Sequence, residues 1–61
     1  NHFRVAKAEH LLATTDWSVS DISMAVGFCD QSYFGLVFRG IVQLTPLQYK
    51  RQVRANAPAA S

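Results

Sequence analysis

Hydrophobic positions along this chain recur at helical spacing in four stretches separated by polar or glycine breaks. Val5, Ala8, Leu11 and Leu12 fall on one side of a helix, with Arg4, Lys7, Glu9 and His10 around the others. That spacing predicts a first helix from Asn1 to about Ala13. Thr14-Thr15-Asp16-Trp17 is a polar break that ends in an aromatic. Ile22, Ala25 and Val26 then mark the apolar face of a second helix, about Val19 to Val26, with Ser18 and Asp21 spaced as a capping box at its start. Gly27 stops it, because glycine takes a left-handed backbone at little cost.

Asp30 is placed to cap a third helix beginning near Gln31, with Phe34, Val37, Phe38 and Ile41 as its apolar face. Its end is open in the sequence. Either Gly40 closes it, or it runs past Gly40 and the next turn is rebuilt around Gln43. Thr45-Pro46 starts a fourth helix, since Thr caps and Pro at the first position loses nothing by lacking an N–H. Leu47, Tyr49 and Val53 are expected to face inward from it, with Lys50, Arg51 and Arg54 in water. Residues 56–61, NAPAAS, are expected to be a frayed tail. Ile41-Val42 lacks the alternation of a strand, so the fold is expected to be all-α.

Two short helices joined by a glycine-containing turn describe a helix-turn-helix, in which the second helix, here about 31–40, can be laid into the DNA major groove. If Phe34, Val37, Phe38 and Ile41 face the core, then Gln31, Ser32, Gly35, Leu36 and Arg39 face out. Gln31 can pair with both polar edges of adenine, and Ser32 can bond a base edge or a phosphate. Arg39, two turns along, suits backbone phosphate better than a base. Tyr33 divides evenly between rim packing and a phosphate hydrogen bond. Arg4 and Lys7 could touch phosphate, or form a solvated face or an ion pair with Glu9 or Asp16. Lys50, Arg51 and Arg54 read as a basic helix end favoured by the helix dipole, with non-specific phosphate contact open to them.

The order Gly27-Phe28, Asp30, Ser32-Tyr33-Phe34, Phe38-Arg39, Thr45-Pro46 and Tyr49-Lys50 resembles the C-terminal helix-turn-helix of AraC/XylS-type transcriptional regulators. Asn1, Arg4-Val5, Ala8, Leu11-Leu12 and Thr15 fit the pattern which that family shows upstream. The resemblance runs from Asn1 to about Arg51 and rests on many separately spaced matches. It implies a homeodomain-like three-helix DNA-binding bundle preceded by a linker helix, divided as residues 1–14 (linker, with a truncated start), 15–55 (helix-turn-helix unit) and 56–61 (tail). It further implies a bacterial, cytoplasmic regulator of transcription with double-stranded DNA as partner. The linker helix would join this unit to a missing N-terminal helix-turn-helix, often preceded by a sensing domain, and activation would go through RNA polymerase.

This chain departs from the family at the reading face. The resemblance implies Arg or Lys at the position of Leu36, Ser or Thr at Gly35, a basic residue at Gly40 and Gly at Gln43. Leu36 can touch a thymine methyl but cannot neutralise a phosphate or fork onto guanine. The readout is therefore expected to lean on Gln31, Ser32 and apolar contact.

Composition bounds the rest. Sixty-one residues make one small domain, which buries only about 60% of its unfolded surface. Phe28, Phe34 and Phe38 are expected in its core, and Trp17 fits packing against the first helix better than stacking on a base. A net charge of +2 permits nucleic-acid binding without requiring it. The single cysteine excludes an internal disulfide and, between Phe28 and Asp30, is expected to be a small packing residue. No apolar stretch is long enough for a membrane span. His2, His10, Cys29 and Asp30 lack metal-box spacing, and no nucleophile–base pair or carboxylate pair suggests an enzyme, so no catalytic, metal or cofactor residue is assigned. A competing reading is a protein-interaction module whose low, apolar face at Gly35, Leu36 and Gly40 docks a partner helix, its missing half or polymerase. A structural remnant without binding of its own is the third.

Overall fold

A computed structural model of the chain describes residues 1–55; the expected tail lies outside the described residues. Four helices follow one another: α1 His2–Thr14, α2 Val19–Ala25, α3 Gln31–Val42 and α4 Pro46–Ala55. There is no strand among the described residues.

The core consists of Val5, Ala8 and Leu12 from α1, Ile22 from α2, Val26 and Phe28 from the following turn, and Phe34 and Phe38 from α3. Because α1 supplies three of these side chains and packs against each of the other helices, it is an integral wall of the bundle. An aromatic chain links the turn to α4. Phe28 and Phe34 lie 5.2 Å apart between ring centres, Phe34 and Phe38 5.7 Å, and Phe38 and Tyr49 5.7 Å edge-on. Such tilted pairs add about 0.5–1.5 kcal/mol each beyond area burial.

Sequence signals account for the starts of α2, α3 and α4 and for the end of α2. Ser18 Oγ accepts from the Asp21 N–H at 3.1 Å to start α2, and Asp30 Oδ1 accepts from the Ser32 N–H at 2.9 Å to start α3. At α4 the cap is reciprocal: the Gln48 N–H donates to Thr45 Oγ1 at 3.1 Å, and Gln48 Oε1 accepts from the Thr45 N–H at 3.0 Å. Between α2 and α3, Gly27 adopts φ 100°, its N–H donates to the Met24 carbonyl at 3.1 Å, and the Phe28 N–H donates to that of Ser23 at 2.9 Å. These two bonds form a Schellman motif, which turns the chain and drives Phe28 into the core.

The end of α3 is resolved. The helix passes through Gly40 to Val42 and stops at Gln43, which takes a left-handed backbone with φ 72°. Its N–H donates to the Arg39 carbonyl at 2.8 Å and its side-chain Nε2 to the Gly40 carbonyl at 3.1 Å. The amide side chain thus satisfies one of the orphan carbonyls at the end of α3.

Four expectations are corrected. Ala25 is exposed and Ser23 is buried instead, since the inward stripe of α2 runs through Val19, Ile22, Ser23 and Val26. The Ser23 hydroxyl donates to the Ser20 carbonyl at 2.8 Å, so its burial leaves no orphan. Leu47 is also exposed, because α4 packs through Pro46, Tyr49 and Val53 and Leu47 lies beside that stripe. Cys29 is exposed rather than packed, held outside between buried Phe28 and the cap at Asp30. Finally, Lys50 and Arg54 fold back onto the loop between α1 and α2 instead of standing free in water. Lys50 Nζ donates to the Trp17 carbonyl at 3.4 Å, while Arg54 bonds the Thr15 carbonyl and pairs with Asp16 at 3.0 Å.

Candidate nucleic-acid interface

α3 divides as its sequence spacing predicts. Phe34 and Phe38 are wholly buried, while Gln31, Ser32, Tyr33, Leu36, Arg39 and Gly40 are exposed. At 3.6 residues per turn, Leu36 stands about 200° around the helix from both buried phenylalanines. It therefore occupies the middle of the outward face, with 71% of its surface in water. Ser32 lies one turn before it, Arg39 and Gly40 one turn after, so all four share that face. Gln31 sits at the first position of the helix, beside the cap of Asp30. Gly35 lies between the outward face and the core-facing stripe and is half-buried.

Tyr33 packs at the rim of the bundle, one of its two expected roles. Its ring tilts against Phe28 at 5.9 Å, yet the residue remains 53% exposed, leaving one edge of the phenol in water at the rim of α3.

Arg4 makes a contact within the domain that its sequence position did not suggest. It reaches from α1 to the turn between α2 and α3, where its guanidinium donates to the Gly27 carbonyl at 3.4 Å and lies 5.7 Å from the centre of the Phe28 ring. Neither Glu9 nor Asp16 is its partner; Asp16 pairs with Arg54. The signal for this contact was a carbonyl at a glycine C-cap that wants a donor, but nothing in the spacing placed Arg4 beside it. Lys50, half-buried against the loop before α2, lies at Trp17. Trp17 itself leaves 47% of its surface in water. Thus the structure gathers Gln31, Ser32, Tyr33, Gly35, Leu36 and Arg39 along α3, brings Arg4 to the turn that precedes it, and ties Lys50 to a separate loop.

Burial, and secondarily the Glu9 carboxylate, raise the Tyr49 phenol above its ordinary value. Among the described residues there is no cavity to enclose a small substrate, and no three metal-ligating side chains come together.

Short helices joined by a glycine turn, with one polar-edged helix standing out from a three-sided core, define a helix-turn-helix domain. The comparisons with known proteins agree and go further. Residues 1–52 match the helix-turn-helix domain family. The chain is 40% identical over 57 residues to the regulatory protein PocR of Salmonella typhimurium, covering 93% of this chain and 19% of that protein. It is 38% identical over 61 residues to the HTH-type transcriptional activator RhaR of an Enterobacter species, covering 93% and 22%. It is also 39% identical over 60 residues to the transcriptional activator RhaS from the same source, covering 98% and 20%. This chain belongs to the AraC/XylS-type family of helix-turn-helix transcriptional regulators. It spans about a fifth of the length of the curated relatives it matches. No solved structure matches it.

Proposed function

We propose that this domain binds double-stranded DNA as part of a transcription regulator, with α3 lying in the major groove. The observation that carries the proposal is the outward face of α3, where Gln31, Ser32, Leu36 and Arg39 project from a helix held rigidly by two buried phenylalanines. Gln31 and Ser32 supply hydrogen-bonding groups for base edges, and Arg39 supplies a cation for the phosphate backbone. Family membership and the names of its relatives as transcriptional activators support the same reading. Tyr33 at the rim, Arg4 at the turn and Lys50 are the further candidates for backbone contact.

In this proposal α1 is the joining helix to a second helix-turn-helix unit, and a sensing domain and RNA polymerase are the other partners. The setting is the cytoplasm of a bacterium, and the role is recognition rather than catalysis. No helix among the described residues is long and apolar enough to cross a membrane. Alone, one such unit has few phosphate contacts, and its non-specific dissociation constant is expected at about 10⁻⁴ M or weaker at physiological salt.

A second reading, an apolar docking module, is favoured by the exposure of Leu36 at the centre of the same face. Salt separates the two. Fluorescence anisotropy of a labelled duplex, titrated with this chain at rising salt, should show affinity falling linearly on a log–log scale if DNA is the partner. No rise in anisotropy at low salt, with the chain near millimolar, would favour apolar docking instead.

A further inference from the structure

We infer that Leu36 is a specificity-determining residue, which reads a thymine through its 5-methyl group and biases the site toward A·T pairs. The inference rests on the DNA-binding reading above and deepens it.

Leu36 is 71% exposed and lies directly opposite the buried Phe34 and Phe38, so a groove that receives α3 meets Leu36 first. An isobutyl group carries no hydrogen-bond donor or acceptor. Of the groups on base edges in the major groove, the thymine methyl is the apolar one, and covering it removes apolar surface from water on both sides. Over guanine or cytosine the same side chain would cover polar edges and leave them without a partner, which is unfavourable. Ser32, one turn earlier, is short enough to let Leu36 reach the floor of the groove. Gln31 at the start of the helix adds an amide that matches adenine bidentately. The cation of the face, Arg39, comes a turn later, where it suits phosphate. Guanine-reading chemistry is therefore missing from the middle of the face, and adenine- and thymine-reading chemistry is present.

Two glycines support this close approach. Gly35 and Gly40 lie inside α3, where glycine is a poor helix former, yet a Cβ at either position would meet nothing within 4 Å. Nothing inside the domain requires them to be glycine. Beside Leu36 they lower the profile of the helix, so its backbone can come nearer to an outside surface than a Ser, Thr or Lys would allow.

The test starts by selecting duplexes bound by this chain from a random pool at low salt. Each thymine of the selected site is then replaced by deoxyuridine, which lacks only the methyl. At one position the replacement should weaken binding about three- to fivefold, the equivalent of one buried methyl. In the Leu36→Ala variant, the same replacement should have no effect. The Gly35→Ala variant should melt at a higher temperature than the parent while binding the selected duplex several-fold more weakly, a divergence that a purely structural role would not produce. If a sequence is selected but no thymine methyl matters, or if Leu36→Ala keeps the deoxyuridine effect, the inference is overturned while DNA binding stands. If no duplex binds at low salt even with the chain near millimolar, the DNA-binding reading falls and this inference falls with it.

Discussion

Arg4 and Phe28 are joined face to cation: the guanidinium of a residue on the first helix lies 5.7 Å from the ring centre of an aromatic in the helix-turn-helix turn. The same guanidinium donates to the carbonyl of the neighbouring Gly27 at 3.4 Å. Exposed pairs of this kind are worth about 0.5–1 kcal/mol. Their position gives them more consequence than that magnitude suggests, because Phe28 anchors the start of α3 to the core. α1 thereby steadies the helix proposed to read DNA.

Replacing Arg4 by Ala is expected to lower stability by about 1 kcal/mol, read as a drop of several degrees in the thermal midpoint. If Arg4 serves only the turn, the salt dependence of DNA binding should stay as in the parent. A slope reduced by about one would place Arg4 on a phosphate as well.

Gln43 holds a left-handed backbone at φ 72°. A non-glycine residue there costs about 1–2 kcal/mol, offset in part by the hydrogen bond from its side chain to the Gly40 carbonyl at 3.1 Å. Gln43→Gly should therefore stabilise the domain by about 1 kcal/mol and raise its midpoint by about 4–8 °C. Thermal circular dichroism of the two proteins decides it. A lower midpoint would mean that the amide cap outweighs the backbone strain.

Tyr49 packs edge-on against Phe38, and burial together with Glu9 raises its phenol above the ordinary tyrosine value. Below the unfolded value both states hold the proton and the shift contributes nothing. Between the unfolded and folded values the unfolded chain releases the proton first, so stability falls as pH rises. Denaturant titrations from pH 8 to 11 should show this decline, and Tyr49→Phe should flatten it. An equal decline in both proteins would assign the alkaline loss to other groups.

Leu36→Arg places a cation at the centre of the outward face. Non-specific duplex binding should tighten and its salt dependence should steepen by about one phosphate. An unchanged slope in the anisotropy titration would mean that this face does not lie against DNA.

Helix identity was legible because local chemistry and tertiary packing agree at most positions. Ser18, Gly27, Asp30 and Thr45-Pro46 end or begin helices for reasons internal to their own few residues, and each does so in the structure. The outward face of α3 was legible for the same reason, since the spacing of Phe34 and Phe38 dictates which residues are left outside. What escaped were contacts between residues distant in sequence. Arg4 at Gly27 and Arg54 at Asp16 depend on how helices cross, and periodicity within one helix carries no such information. Leu47 and Ala25 illustrate a second limit. Both are apolar and near the inward stripe, yet a residue about 100° from its centre can fall on either side of the boundary. The end of α3 could not be decided from residue types either. Gly40 is the better helix breaker and Gln43 the poorer left-handed residue, but Ile41 and Val42 pack against the core only if the helix continues through Gly40.

The most direct measurement is an amide-resolved NMR titration of this chain with mixed-sequence duplex DNA at low and moderate salt. With α3 in the groove, shifts should concentrate on Gln31 to Arg39 and fade as salt rises. Shifts confined to Arg4, Lys7 and Lys50 to Arg54, or none at near-millimolar DNA, would contradict α3 as the groove-reading helix.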